Sequence, residues 1–325
     1  MKINKIILSF ISAVAILLST SVVSFAKVVG DKIVLGAAVS LTGKYSSNGV
    51  HTQNGYNLAV ERINSMGGIK VGGKTYKFEI IYYDDESNPK RAAQLAERLI
   101  SQDVRLGILD AIKETGSTKV IDDKLPKELN DMAATLVKVK QMKPDVLVVS
   151  GHTKGALTAI RQISEMKVDV PMLAMTHCDA AKLSKQHGAA SQYALCASQW
   201  HKTLTYKDDY FKDGMTYDSD FNKKFGYAPP YQAAESSAAL LVFKDAFERA
   251  NSFDKKKVRD ALAATDMQTF YGNIKFAAGG QNVSKPMVLF QVICNSSGKC
   301  ENKVVAPLKW ASAKLIHPMP KWSER

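Results

Sequence analysis

Residues 33–89 constrain this chain most. A strand-like run, IVLGAAVSLTG, leads into YNLAVERINSMGGI and then YKFEIIYYDDESNP. The pattern predicts a strand over Ile33–Val39, a helix over Asn54–Asn64 stopped by Gly67-Gly68, and a strand over Lys77–Tyr83. Two strands joined through a crossover helix lie parallel, so the block reads as the opening β-α-β of an open parallel sheet. Such sheets bind ligands beyond the carboxyl ends of their strands. The turn Ser40-Leu41-Thr42-Gly43 stands at that edge, and so does Asp84-Asp85, read here as the cap of a helix beginning at Pro89.

Ahead of this block, residues 1–26 have the organisation of a signal peptide. Lys2 and Lys5 form a positive n-region and Ile6–Leu18 an apolar h-region. Ser24-Phe25-Ala26 supplies small residues at the cleavage positions. The apolar run is short for a membrane span of about 20 residues. The expected location is periplasmic, with the mature chain starting near Lys27. The roughly 300 residues that follow exceed what one compact core usually holds, so two domains are expected.

The net charge of +13 is spread over scattered lysines, and Lys255-Lys256-Lys257 is the one basic run. No aromatic interleaving, zinc spacing or RNA-binding motif accompanies it, which argues against nucleic acid. Such charge bears on solubility rather than fold. Four cysteines in an exported chain suit two disulfides better than metal or redox chemistry. Cys294 and Cys300 flank a turn between two β-like runs, and Cys178 and Cys196 fit neighbouring strand ends. Three connectivities remain open on sequence alone.

Further along, strand and helix alternate. Pro89–Gln102 is amphipathic, and Val104–Gly116 carries helical spacing where the next strand is expected. Lys119–Asp122 reads as a short strand. Helices are expected over Asp131–Met142, Ala156–Met166, Asp218–Phe225, Ala233–Ala250 and Lys255–Ala264. Pro144–Val149 reads as a buried strand, followed by strands at Val170–Met175 and Tyr193–Ser198. The end is β: Gly272–Phe276, then Met287–Cys294 paired with Glu301–Val305. Alternating α and β with continuous apolar strands means an α/β fold, a parallel sheet covered by helices. The final hairpin adds antiparallel strands at an edge.

The ordered segments SLTGKYSSNG, GYNLAVERINSMGGI, YYDDESNPKRAAQLAERLI, KPDVLVVSGHTKGALTAIRQISEMKVDVPML, YAPPYQAAESSAALLVFKDAFERA and FYGNIKF resemble the leucine/isoleucine/valine-type periplasmic binding proteins. These are the type I substrate-binding subunits of ABC importers. The resemblance covers nearly all of the mature chain. It implies two Rossmann-like lobes: residues 27–103 with 231–280 forming the first, and 104–230 with 281–325 the second. It also implies capture of a branched-chain amino acid or small amide by hinge closure, delivery to ABC permease subunits, a monomer, and no cofactor. The pattern breaks at Ser101-Gln102-Asp103-Val104. In the family a third strand and a serine-rich ligand loop follow here, with further βα units, and roughly 70–90 residues of that kind have no counterpart. The first lobe is therefore expected to be incomplete. A compact divergent variant and a deletion both account for the break; the absence of compensating sequence favours deletion.

A free amino acid needs donors for its carboxylate, a carboxylate or ring face for its ammonium and an apolar wall. Ser40, Thr42, Tyr45 and Asn48 follow the first strand; His152 and Asp179 end two strands of the second lobe, where the resemblance implies an acidic group for the ammonium. Tyr231 and Glu235 of YQAAE lie where the chain returns to the first lobe. His152 and His177 lack the further ligands of a zinc site, so no metal is expected. No G-x-S-x-G, P-loop or G-x-G-x-x-G occurs, and the reading is non-enzymatic. The alternatives are a ligand-sensing module for a membrane receptor and a deletion fragment without binding.

Overall fold

The computed structural model of the protein describes residues 27–88, 114–125, 130–151, 153–178 and 183–325. Its first sheet has four strands. β1 (Lys27–Val29) runs antiparallel to β2 (Lys32–Val39), which lies parallel to a later strand across Lys32↔Lys77 to Val39↔Asp84. Helix α1 (Ser46–Ser65) makes that parallel crossover. β3 (Ile69–Val71) then turns through Gly72-Gly73 into β4 (Lys74–Asp84), an antiparallel hairpin in register Val71↔Lys74. Ile33, Ile69, Val71 and Phe78 from the sheet close on Leu58, Ala59 and Ile63 of α1.

α1 begins eight residues before the position the apolar pattern indicates. Its first turns carry Ser46, Ser47, Asn48 and Gly49, residues weak as helix formers. Gly49 rests against the Ser40 carbonyl, so packing sets this start. Both glycines after Ser65 hold positive φ and end the helix where the sequence places its stop.

The second sheet is built from α2 (Ala133–Met142), β5 (Val146–Val149), α3 (Thr153–Glu165), β6 (Met172–Met175) and β7 (Leu195–Ser198). β5, β6 and β7 are parallel. Leu136, Val139, Ile160, Ile163, Leu173 and Met175 form its core. Beyond β7 the chain continues through α4 (Gly214–Phe225), α5 (Tyr231–Ala250) and α6 (Lys255–Ala263) to a β-hairpin of β8 (Asp266–Thr269) and β9 (Gly272–Lys275). β10 (Val288–Cys294) then returns antiparallel beside β7 and pairs with β11 (Cys300–Ala306). This is the expected edge hairpin.

The two hydrophobic clusters follow the two sheets. Trp200, Phe211, Tyr217 and Phe221 pack in the first cluster with α1 and α5, although the sequence reading set residues up to 230 in the second lobe. The chain thus passes from the second cluster, which holds Cys196, to the first at Trp200. β10 and β11 straddle both, Val288 and Val304 packing with the first and Phe290 with the second.

Two expectations are corrected. Lys119–Asp122 is not a strand: it has no ladder partner among the described residues, Val120 is exposed, and Lys119 pairs with Asp122 instead. β5 is a strand but not a buried one. Among the described residues it forms the sheet edge, and Val146 and Val148 are 44% and 45% exposed. Asp84 and Asp85 accept from loop amides at the strand ends, and the helix they were expected to cap begins at Pro89, outside the described residues. The amphipathic stretch Pro89–Gln102 lies outside the described residues, as does Val104–Gly116 up to residue 113. β1, β3 and β8 are only three or four residues long, too short to stand out, and pair in hairpins.

Candidate functional site: the strand-end loops and the head of α5

At the carboxyl end of the first sheet, two loops are sewn together by side chains. The Asp84 carboxylate accepts from the Leu41 and Thr42 amides at 3.0 and 3.2 Å, from the Thr42 hydroxyl at 2.7 Å and from the Glu86 amide at 2.8 Å. These donors hold its carboxyl below the usual carboxylate range, the Thr42 hydroxyl most of all. Ser87 completes the lacing: its hydroxyl donates to the Thr42 carbonyl at 2.6 Å and accepts from the Tyr45 amide at 2.9 Å. Asp85 accepts from the Ser87 amide at 2.8 Å. Three sequence-selected residues, Ser40, Thr42 and Tyr45, therefore share one loop, and Asn48 lies in the first turn of α1, but the Thr42 hydroxyl donates to Asp84. Ser40, Tyr45 and Asn48 are half-buried.

At the second sheet, Thr176 bridges the ends of β5 and β6. Its hydroxyl accepts from the Gly151 amide at 3.0 Å and donates to the Gly151 carbonyl at 2.9 Å. Cys178 is joined to Cys196, which fixes the loop after β6 to β7; Cys294 is joined to Cys300 across the β10–β11 ladder. Both pairs are those that adjacency in sequence favours. His152 and Asp179 lie outside the described residues.

The head of α5 gathers a denser set of charges. Glu235 has a solvent-accessible side chain, yet protein surrounds it closely enough that desolvation raises its carboxyl above the usual range, with Lys285 opposing. The Tyr271 phenol is pushed well up by burial, by Glu235 and by Tyr231, so these three residues share one electrostatic neighbourhood. Lys285 belongs to it too: burial lowers its ammonium to about 8, and Glu235 holds it against a further fall. Its Nζ lies 4.1 Å from the Tyr271 ring centroid and donates to the Gln199 carbonyl. Gly272, at φ 151°, leaves room for the lysine stem; a Cβ there would collide with Lys285 Cδ.

Tyr231 and Glu235 are thus brought together, while Lys285, Tyr271 and Gln199 escaped the sequence reading. Tyr271 lay within the FYGNIKF segment and was legible there as part of a family motif. Lys285 sits in an unpatterned Ser-Lys-Pro stretch and left no signal. Chemically, the cluster offers a carboxylate, an ammonium and phenol rings, which suits a small ligand carrying opposite charges. Among the described residues, no group of three or more His, Cys, Asp or Glu is placed to hold a metal ion, and no helix is long and apolar enough to cross a membrane.

Known proteins match this architecture. The profile of the Periplasmic binding protein family matches residues 32–112 and 101–299, and the chain belongs to that family. Its fold is that of the type I periplasmic binding proteins, as solved relatives show. One is the branched-chain amino acid transporter substrate-binding protein LivJ from Streptococcus pneumoniae in complex with isoleucine. It has 18% identity and a TM-score of 0.66, over 85% of this chain and 100% of the relative. The leucine-binding protein LivK from Thermotoga maritima gives 16% and 0.65, over 85% and 99%. A solute-binding protein of an ABC transporter from Rhodopseudomonas palustris, in complex with 3,4-dihydroxybenzoic acid, gives 17% and 0.66, over 89% and 99%.

Proposed function

We propose that this chain is the periplasmic solute-binding subunit of an ABC importer and that it captures a free amino acid of the branched-chain class or a related small amide. The observation that carries the reading is Glu235. Desolvation raises its carboxyl, and it acts electrostatically on Tyr271 and Lys285; a carboxylate with phenol rings in its neighbourhood suits an ammonium group. Capture proceeds by closure of two lobes around the solute, a monomer then presenting the closed form to the permease. The chain performs no catalysis in this reading, and export depends on residues 1–26.

The first lobe in this reading is shorter than its relatives', the break lying near Asp103. The loop that would otherwise contact the ligand's carboxylate is then replaced or lost. A thermal-shift screen of the mature chain tests the function. Twenty amino acids, short amides, urea, benzoate and 3,4-dihydroxybenzoate are the panel. Stabilisation by leucine, isoleucine or valine is the expected result. Stabilisation by the benzoates alone transfers the reading to aromatic acids, and stabilisation by none favours a fragment without binding. A soluble binder whose gene has no permease neighbour favours a receptor-coupled sensor.

A further inference from the structure

The geometry points to Lys285 as a specificity-determining residue that receives the carboxylate of the bound amino acid, opposite the ammonium seat at Glu235; this rests on the amino-acid reading above. The position of Lys285 follows from the strand pairing. Val288 of β10 pairs with Ser198 of β7, and the chain leaves both strands toward the first cluster. Gln199 follows Ser198 directly, and Lys285 precedes Val288 by three residues. The bond from Lys285 to the Gln199 carbonyl therefore spans two segments that run between the clusters.

Its donors are not exhausted there. A lysine ammonium has three N–H groups and no acceptor. One goes to Gln199, and the Tyr271 ring lies against the charge at 4.1 Å. Glu235 acts on Lys285 electrostatically, but the two form no direct ion pair among the described contacts. Two opposite charges that act on each other without an ion pair can take the two ends of a zwitterion. Nearby atoms agree. Trp200 Nε1, Gln232 Oε1 and Ser284 Oγ are buried without a hydrogen-bond partner. Each belongs to a residue adjacent in sequence to Gln199 or Lys285, or one helical turn from Glu235. Buried polar atoms are nearly always satisfied, and a polar ligand would satisfy those that reach the cleft.

Calorimetric titration at pH 7 tests the assignment with three probes: L-leucine, L-leucinamide, which lacks the carboxylate, and 4-methylpentanoate, which lacks the ammonium. Lys285→Met is expected to weaken leucine about 30-fold or more, the scale for removing one partner of an enclosed charge pair. It should leave leucinamide within about threefold. Glu235→Gln is expected to weaken leucine and leucinamide while sparing 4-methylpentanoate. The ratio of leucine to leucinamide affinity within one variant is insensitive to global stability. Should Lys285→Met not fold, Lys285→Gln, which keeps a donor for Gln199, is read by the same ratio. An equal loss for leucine and leucinamide, or no loss for either, overturns the role of Lys285 while leaving the binding function standing. A wild-type chain that binds none of the three probes overturns both.

Discussion

The Ser237 hydroxyl donates a 2.7 Å hydrogen bond to the Gly55 carbonyl, tying α5 to α1. The same hydroxyl lies 2.9 Å from that of buried Tyr217, so helices α1, α4 and α5 meet at one buried polar point. Gly55 is required there, because a Cβ would run into the Ala233 carbonyl. Gly55→Ala is expected to force the helices apart and to cost about 1–3 kcal/mol, the usual scale for overpacking a close contact. A urea unfolding curve measures it. An unchanged midpoint would show that the crossing yields without cost.

His201 makes the fold sensitive to acid. Its ring is held neutral, with a pKa lowered to about 4, first by burial and then by Lys202, with Asp218 opposing and Lys303 adding to the fall; its Nδ1 lies 2.9 Å from the Thr203 hydroxyl. Between pH 6.5 and 4 the unfolded chain binds a proton that the folded chain refuses. Stability is therefore lost as pH falls through this window, by roughly 3 kcal/mol in total. His201→Asn should flatten this part of the stability profile relative to wild type. Parallel profiles for the two proteins would be incompatible with a neutral buried ring.

Asp84 holds the loop that follows β2 at the carboxyl end of the first sheet. Because its folded pKa lies below the ordinary 3.8, its contribution is present at neutral pH and lost as pH falls below that value. Asp84→Asn keeps the shape but weakens the charge-assisted bonds. Hydrogen exchange should then quicken at the Leu41 and Thr42 amides, both of which donate to this carboxylate. Exchange at Phe78, whose amide donates to Asn64 instead, serves as the internal reference and should not change.

Lys285 carries a stability cost that its proposed role would explain. Its folded pKa of about 8 lies below the ordinary 10.5. Between those values the unfolded chain keeps a proton that the folded chain has released, so stability rises with pH across the window and the penalty is complete below it. The Tyr271 ring and the Gln199 carbonyl contact the ammonium, Glu235 of α5 acts on it electrostatically, and Tyr231 acts on Tyr271 in turn. Lys285→Met should accordingly raise the unfolding temperature of the unliganded protein at pH 7. The gain should shrink between pH 8 and 10.5. A lower melting temperature at pH 7 would contradict a net desolvation cost.

Much of the fold was legible because burial leaves a periodic trace. Ile33, Leu58, Ile63 and Phe78 are core residues, and each falls where the strand and helix patterns put an apolar side chain. The cysteine pairs were legible for a related reason: Cys294 and Cys300 flank a turn short enough that a hairpin brings them opposite one another. β5 was misjudged because Val146 and Val148 look the same in a central strand as at an edge, and only the identity of the neighbouring strand separates the two. The tie that Asp84 makes between two loops was not legible, because a carboxylate before a helix and a carboxylate beneath another loop have the same local sequence. Its partners are 42 and 43 residues away.

The sequence by itself determined the α/β class, the order of the elements, the family and the loops at the strand ends, since each depends on local periodicity or on ordered motifs. Tertiary structure alone decided which of those loops are tied to one another and which charges share the cleft. The bond from Lys285 to Gln199 joins residues 86 positions apart, and Glu235 and Lys285 interact from separate segments. Electrostatic coupling depends on distance through space and on how much water the surrounding protein removes. Neither quantity is written in the spacing of residues along the chain.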